Sequence, residues 1–282
     1  MILLTGAGGK TGQAIAQALH AADQPVRAWL RHPHQSPHLP AAERISGDLL
    51  DPSCWRAACA GVQAVYLICP NMHPQELAIV RLALDAATGA GVQRLVYHSV
   101  LHPQTQEMAH HWQKLRAEEE IFRRGLAFTI LQPCAYMQNF LAYRTQILAD
   151  GRFAVPYDIH TPFGFVDLAD VAQAAARVLT EAGHAHAIYE LAGPRNLSCQ
   201  DAAAALAAAL HRPIEAIQSP LDVWEQSARA AGLSAYATDA LGAMFRYYDR
   251  HGLPSNGNVL GWLLGRSPTP FSRFARRTFQ EQ

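Results

Sequence analysis

The sequence predicts an α/β fold with a doubly wound parallel sheet and a smaller, mainly helical lobe toward the C-terminus. Strand-like and helix-like segments alternate through residues 1–133, which is typical of βαβ units with right-handed crossovers. A glycine-rich loop directly follows the first apolar segment. After residue 220 the spacing of apolar residues indicates helices only. Together these observations favour one sheet domain with a helical annex.

The first part of the chain contains six predicted strands, each a short apolar run bounded by glycine, proline or polar residues. These strands cover residues 1–5, 26–31, 44–48, 64–70, 94–100 and 128–133. Apolar residues at helical spacing predict helices over residues 12–20, 52–59, 75–90 and 113–124. Asp51 is the expected N-cap of the second helix, because it directly precedes a proline at the first helical position.

The pattern is looser after residue 134. It predicts a helix over 137–151, a strand over 152–157, a turn and helix over 163–183, and a strand over 188–193. Ser198 and Asp201 form the capping box of a further Ala-rich helix. We therefore expect a sheet domain over residues 1–150, to which residues 162–193 return. The smaller lobe comprises residues 151–161 and 194–282.

The charge balance and the cysteines limit the classes of partner and compartment. Lys plus Arg and Asp plus Glu both number 23 in 282 residues, so the formal net charge is zero. Such a chain has no overall attraction to nucleic acid or anionic lipid, and we expect no direct nucleic-acid partner and no membrane. Five scattered cysteines without C-x-x-C, and an N-terminus unlike a signal peptide, predict a reduced, cytoplasmic protein.

The segment T-G-A-G-G-K-T-G follows the first strand and opens a helix. Glycines in this context permit a tight turn and a close approach of the backbone to a pyrophosphate. The N–H groups at the start of the helix then bind the phosphates. This context predicts a Rossmann dinucleotide site, and the alternative is a glycine-rich turn without a ligand. The expected cofactor contacts are Gly6, Gly8, Gly9, Lys10, Thr11 and Gly12.

The end of the second strand indicates which dinucleotide binds. NAD-binding folds usually carry a carboxylate there, whereas this chain has Arg31. A guanidinium matches a 2′-phosphate, so we expect NADP(H) rather than NAD(H), unless Arg31 is only a solvated charge. Asp48 and Leu49, after the third strand, either contact the adenine or merely turn the chain. Cys69-Pro70, after the fourth strand, are expected near the nicotinamide half.

No pattern of residues indicates a metal or hydrolase site. His32, His34 and His38 are close in sequence but are separated by prolines. The spacings typical of zinc sites and the G-x-S-x-G motif of hydrolases do not occur. We therefore expect no metal ligands and no serine nucleophile.

Several segments in order resemble the NmrA-like family, an atypical branch of the short-chain dehydrogenase/reductases. These segments are TGAGGKTG, YLICP, HSVLHP, HHWQK, FTILQPCAYMQN, FVDLADVA, YELAGP and RHGLPSNGNVLGWLLGRSPTPFSRF. The resemblance implies a Rossmann core, a small C-terminal substrate lobe and a preference for NADP(H). It implies either a reductase of quinones, dyes or plant phenolics, or a redox sensor that binds the cofactor and docks on a regulatory protein.

The segment HHWQK departs from the pattern of the wider superfamily. Catalytic relatives carry Tyr-x-x-x-Lys, in which Tyr donates a proton to the substrate and Lys holds the ribose hydroxyls of the cofactor. By this resemblance His110 takes the place of Tyr, and Lys114 is retained. Histidine can donate a proton near neutral pH. The alternatives are a surface Lys114 paired with Glu118, and a solvated His110 at the start of a helix.

The serine that usually polarises the substrate carbonyl is also displaced. Ser99 precedes the usual position, which Val100 or Leu101 occupies, and we expect Ser99 to contact the cofactor. The incomplete set weakens ordinary carbonyl reduction, whereas an activated quinone or dye needs little protein acid.

The aromatic segments suggest a pocket for a planar substrate. The expected lining residues are Trp112, Tyr136, Asn139 and Phe163, with Met137, Phe140 and Phe165 nearby in the sequence. The alternative is that these aromatic residues belong to the core. The helical C-terminal segment either closes a pocket or forms a homodimer face. We therefore expect an NADP(H)-dependent reductase of a small planar acceptor, and the alternative is a catalytically weak NADP(H)-binding sensor.

Overall fold

The computed structural model describes residues 1–32, 34 and 36–280. Nine strands are assigned within these residues, and their bounds are as follows. They are β1 Ile2–Leu4, β2 Val26–Leu30, β3 Glu43–Ser46, β4 Ala64–Leu67, β5 Arg94–His98, β6 Phe128–Pro133, β7 Arg152–Val155, β8 Ala187–Leu191 and β9 Glu215–Gln218.

The helices of the described residues lie between and after these strands. They are α1 Lys10–Ala21, α2 Pro52–Cys59, α3 Glu76–Gly89, α4 Ala109–Phe122, a 3-10 helix Met137–Tyr143, α5 Arg144–Asp150, α6 Leu168–Thr180, α7 Cys199–Leu210, α8 Leu221–Ala230, α9 Ala235–His251, α10 Asn258–Leu264 and α11 Phe271–Phe279.

Seven strands form one sheet in the order β3-β2-β1-β4-β5-β6-β8. The pairs β1–β2, β2–β3, β1–β4, β4–β5 and β5–β6 are all parallel. The chain runs outward from β1 in one direction to β3 and then in the other direction from β4. This order is that of a doubly wound fold, with the switch point between β1 and β4, where such folds bind ligands. The predicted fold class is therefore confirmed.

Contacts divide the described chain into two compact units. The first unit comprises residues 1–104, 111–132 and 171–189, and the second comprises residues 105–110, 133–170 and 190–282. The predicted boundary at residue 150 stays a prediction.

The core of the first unit lies around the sheet. Leu3, Val65 and Leu95, from β1, β4 and β5, are fully buried, and the rings of Trp29 and Trp55 pack 4.7 Å apart. Burying one such side chain contributes about 1.5–3 kcal/mol, so these strand residues contribute substantially to the stability of this unit. Helix α2 begins where it was predicted, because the Asp51 carboxylate accepts the N–H of Ser53 at 2.7 Å.

The second unit has an aromatic core and a parallel two-stranded sheet of β7 and β9. The rings of Phe140 and Phe271 lie 4.9 Å apart, and those of Phe163 and Phe165 lie 5.1 Å apart. Ser198 and Asp201 form the predicted capping box of α7. The β9 strand was missed in the sequence, because it is four residues long and is defined by its pairing with β7 rather than by an apolar pattern.

Among the boundaries that differ from the predicted ones, three affect the site or the path of the chain most. Helix α4 begins at Ala109 rather than at residue 113, so His110 lies in its first turn. The predicted helix over 137–151 is a 3-10 helix followed by α5, and Gly151 ends α5 in the left-handed conformation. Strand β4 ends at Leu67, three residues before the predicted end.

Candidate cofactor and active site

The glycine loop joins β1 to α1 in the first unit and has the features of a phosphate cradle. Gly6 has φ +60°, a conformation that L side chains rarely adopt. Gly9 is the N-cap of α1 and provides no side-chain cap. An uncapped helix start of this kind, with its positive dipole end, is where such folds bind an anion. This donor set fits a pyrophosphate.

The loop is held closely against the helix and the neighbouring strand. A Cβ atom on Gly12 would lie 2.3 Å from the Gly6 carbonyl oxygen, so only glycine fits at this position. The Thr5 hydroxyl donates to the Ile68 carbonyl at 2.9 Å and accepts the Ile68 N–H at 2.8 Å. These contacts fix the glycine loop beside the end of β4, where the predicted residues Cys69 and Pro70 follow.

Arg31 lies exposed directly after β2, the strand next to β1. Its position at the carboxyl edge of the sheet fits a contact with a 2′-phosphate. Asp48 is also exposed, and one carboxylate oxygen accepts the Leu50 N–H at 2.9 Å. Asp48 therefore turns the chain with one carboxylate oxygen. Its other oxygen can still accept a hydrogen bond. Its predicted contact with adenine stays a prediction, as does that of Leu49.

Lys114 is buried in the first unit, so the surface-lysine alternative is wrong. Its Nζ atom lies 2.6 Å from Glu76 Oε1 and donates to the His98 carbonyl at 3.0 Å. The ammonium also lies 5.0 Å from the centre of the Tyr97 ring, and the Tyr97 hydroxyl donates to Glu76 Oε1 at 2.8 Å. Lys114 is therefore a fixed cation next to the end of β5.

Glu118, one turn further along α4, belongs to a different cluster. Its carboxylate accepts hydrogen bonds from the Ser99 hydroxyl and, at 2.9 and 3.0 Å, from the Gln132 amide. Burial raises the pKa of Glu118, while these hydrogen bonds and the nearby Lys114 charge lower it. The Ser99 hydroxyl is therefore directed at a carboxylate in this structure. The predicted cofactor contact of Ser99 stays a prediction.

The two histidines at the start of α4 are buried, so the solvated alternative is wrong. His110 is 5% exposed and His111 is 2% exposed. Nδ1 of His111 lies 3.3 Å from the His102 carbonyl oxygen, and burial lowers the pKa of His111 to about 4. His111 is therefore neutral at physiological pH. A catalytic role for His110 stays a prediction.

The sequence reasoning missed Glu76, Tyr97 and His98. His98 Nδ1 lies 2.7 Å from the Tyr66 hydroxyl, and burial, followed by the Lys114 charge, lowers the pKa of His98 to about 3. A signal for Glu76 is present in the sequence. It shares its helix face with the apolar residues three, four, seven and eight positions later, which predicts a buried carboxylate that needs a buried cation.

The predicted substrate-lining residues differ in exposure. Trp112 and Tyr136 are half-buried and Asn139 is exposed. Phe163 is 1% exposed and pairs with Leu197 and Leu253 in isolated bridges within the second unit. The burial of Phe163, Met137, Phe140 and Phe165 agrees with the core alternative, and the substrate contacts stay predictions.

The second unit also contains an open cavity of about 840 Å³. Its walls are Pro156, the segment 218–221, Phe245, Arg246 and the pair Asp249-Arg250. None of the predicted substrate residues lines it.

Comparison with known proteins shows the family of the chain. The profile of the NmrA-like family matches residues 1–275. The chain belongs to the NmrA-like family. The resemblance inferred from the motifs is therefore confirmed over almost the whole chain.

Two relatives and one solved structure of this NmrA-like chain are informative. An NAD(P)H azoreductase of Xenophilus azovorans is 28% identical over 280 residues, covering 98% of this chain and 97% of that protein. Quinone oxidoreductase 2 of Escherichia coli is 33% identical over 199 residues, covering 68% of each. An E. coli NADPH-dependent quinone oxidoreductase complexed with NADPH has a TM-score of 0.85 at 26% identity, covering 99% of this chain and 100% of that one.

Two further findings concern the part of this NmrA-like chain that the structure describes. Its helices include none that is both long and apolar enough to cross a bilayer. Within the same residues, three or more His, Cys, Asp or Glu side chains do not gather in a way that would hold a metal ion.

Proposed function

We propose that this protein is an NADP(H)-dependent oxidoreductase that reduces a small, planar, conjugated acceptor of the quinone or azo-dye class. The observation that carries the proposal is the glycine cradle, in which only glycine fits at position 12 and the start of α1 has no side-chain cap. The cradle suits a pyrophosphate, and Arg31 beyond β2 suits a 2′-phosphate. The azoreductase and quinone reductase relatives support the reaction class.

The bound NADPH supplies the hydride. In this proposal Gly6, Gly9 and Gly12 admit the pyrophosphate, and Lys114 donates to the ribose hydroxyls next to the nicotinamide. Lys114 is buried beside Tyr97 and its polar partners, and this burial keeps water away from its ammonium group. A quinone or azo acceptor gains one hydride and one proton, and His110 is the proposed source of the proton.

A contrasting candidate is a sensor that binds NADP(H) without turnover and docks on a regulatory protein. Two observations favour it. His110 stands where catalytic relatives carry Tyr, and the Ser99 hydroxyl donates to the Glu118 carboxylate. The buried Lys114 favours the reductase, because a fixed ammonium near the end of β5 is what the lysine of a catalytic Tyr-x-x-x-Lys pair would provide to hold the cofactor.

Acceptor-dependent oxidation of NADPH distinguishes the two functions. Purified protein is mixed with NADPH and a panel of benzoquinones, naphthoquinones, azo dyes and triphenylmethane dyes, and the loss of NADPH absorbance is followed. A reductase oxidises NADPH only when an acceptor is present. Tight NADPH binding without turnover on the whole panel would contradict the proposed reductase and favour the sensor.

Lys114→Met tests the residue assignment within the reductase. It should weaken NADPH binding and slow turnover by at least about tenfold, because it removes a charged donor worth about 1.5–3 kcal/mol. The double variant Lys114→Met with Glu76→Gln removes both buried charges and controls for misfolding. Unchanged kinetics in both would show that Lys114 does not contact the cofactor.

A further inference from the structure

The ion pair of Glu76 and Lys114 joins three elements of the first unit. Glu76 is the first residue of α3, Lys114 lies on α4, and Tyr97 lies on β5. The side chains of Glu76 and Lys114 are 0% and 6% exposed, and their charged atoms are 2.6 Å apart. The Tyr97 hydroxyl donates to the same Glu76 oxygen, so this oxygen is held from two sides.

Stability alone gives no reason for this pair. Replacing a buried ion pair with apolar side chains of similar volume is often neutral or stabilising, because desolvation offsets much of the attraction. An isolated buried ammonium is far more costly and tends to lose its proton. Glu76 is thus the group that allows Lys114 to be both buried and charged.

The contacts of Lys114 leave one donor for a ligand. An ammonium has three N–H donors. Among the residues that the structure describes, Glu76 and the His98 carbonyl take two of them. The third donor is the one that a ribose hydroxyl would take. Because two donors are fixed, the direction of the third is fixed as well.

Four ionisable groups around Lys114 are neutral near physiological pH. Burial, followed by the Glu76 charge, raises the pKa values of Cys69 and Tyr97 well above their usual values. Burial lowers the pKa of His98 to about 3 and that of His111 to about 4. Glu118 is a further carboxyl group close to Lys114, and burial raises its pKa.

We propose that Glu76 is a positioning residue for the nicotinamide half of the cofactor site. It keeps Lys114 charged and fixes the direction of its third donor. The inference rests on the proposed function, in which Lys114 holds the nicotinamide ribose. It adds a residue outside α4 and a specific dependence of cofactor binding on pH.

The pH profile of NADPH binding tests this role. The Kd of wild-type protein for NADPH should change little between about pH 6 and about pH 9, because Glu76 is present beside Lys114. In Glu76→Gln the amide keeps the shape but not the charge, so burial favours the uncharged amine as the pH rises. NADPH binding by the variant should therefore weaken roughly tenfold or more over this range.

Glu119→Gln is the matched control. Glu119 is an exposed carboxylate on α4, the helix that carries Lys114, and pairs with Arg123. Its removal changes the net charge by the same amount and should leave the pH profile of NADPH binding as in wild type. A profile for Glu119→Gln like that of Glu76→Gln would overturn the inference, because the effect would then come from general charge.

Lys114→Met separates failure of the inference from failure of the proposed function. If Lys114→Met leaves NADPH binding unchanged, the proposed role of Lys114 fails, and the role of Glu76 fails with it. If Lys114→Met weakens binding but Glu76→Gln has a wild-type pH profile, only the inference is overturned.

Tyr97→Phe keeps the test valid if Glu76→Gln does not fold. This variant removes the hydroxyl that fixes Glu76 but retains both charges. The proposed role predicts weaker NADPH binding with a wild-type pH profile. Unchanged binding by a folded Tyr97→Phe variant would contradict the proposed role of Glu76.

Discussion

A Cβ atom at Gly12 would lie 2.3 Å from the carbonyl oxygen of Gly6. Real Cβ atoms essentially never lie so close to backbone atoms. The first turn of α1 therefore packs directly on the loop that leaves β1. This contact holds the start of α1 against the glycine loop. The packing of the helix therefore determines where its first N–H groups can meet a phosphate.

Gly12→Ala should disrupt the glycine cradle. The added methyl group meets backbone atoms on the loop, so the loop or α1 must shift. We expect NADPH binding to weaken by at least about tenfold, equivalent to about 1.4 kcal/mol, and the Tm to fall. Gly89→Ala is the control, because a Cβ atom there meets nothing within 4 Å. Equal NADPH affinities of the two variants would refute the cradle.

Arg31→Ala should change the choice of dinucleotide. Removing the guanidinium removes a charged partner of the 2′-phosphate, which NADH lacks. We expect the Kd for NADPH to rise about tenfold or more and the Kd for NADH to change little, as measured by titration with each cofactor. Arg56→Ala, which removes another exposed arginine of the same unit, should not change the ratio. An unchanged ratio in Arg31→Ala would show that Arg31 is only a solvated charge.

Asp170→Ala should destabilise the second unit. The Asp170 carboxylate is 1% exposed and accepts the Thr269 N–H, the Thr269 hydroxyl and the Arg266 guanidinium. Its removal leaves a buried N–H without an acceptor, at a cost of about 3 kcal/mol in the free energy of unfolding. Asp239→Ala, at an exposed aspartate of α9, should change this energy by less than about 0.5 kcal/mol. Urea unfolding measures both, and similar losses would be inconsistent with anchoring by Asp170.

The buried His98 should make stability depend on pH. Its pKa is about 3 in the folded chain and about 6.5 when unfolded, so the unfolded chain binds more protons between these values. The free energy of unfolding therefore falls as the pH falls from about 6.5, by about 1.4 kcal/mol per pH unit for this group. His98→Asn should remove that part of the slope in urea unfolding at several pH values.

His20→Asn is the control for His98→Asn. His20 is exposed on α1, so its replacement should leave the slope of stability against pH as in wild type. If His98→Asn also retains the full slope, the imidazole of His98 is not the buried neutral group that the structure indicates.

Local patterns predicted the elements whose residues carry their own signals. The alternating strands and helices predicted a doubly wound parallel sheet, the glycine loop predicted a cofactor cradle, and Asp51 predicted the start of α2. Strand β9 carries no such signal, because pairing with β7 rather than composition defines it. A helix was predicted over 137–151, but not that residues 137–143 form a 3-10 helix, where the ring of Phe140 packs on Phe153, Phe165 and Phe271.

The sequence by itself determined the fold class, the family and the position of Lys114 on a helix that follows the fifth strand. The tertiary structure decided that Lys114 is buried and that its partner is Glu76, 38 positions earlier in the chain, rather than Glu118 on the same helix. Helical spacing identifies neighbours on one helix only. The packing of α3 and α4 on the sheet selects which carboxylate meets the ammonium, and that packing depends on the whole core.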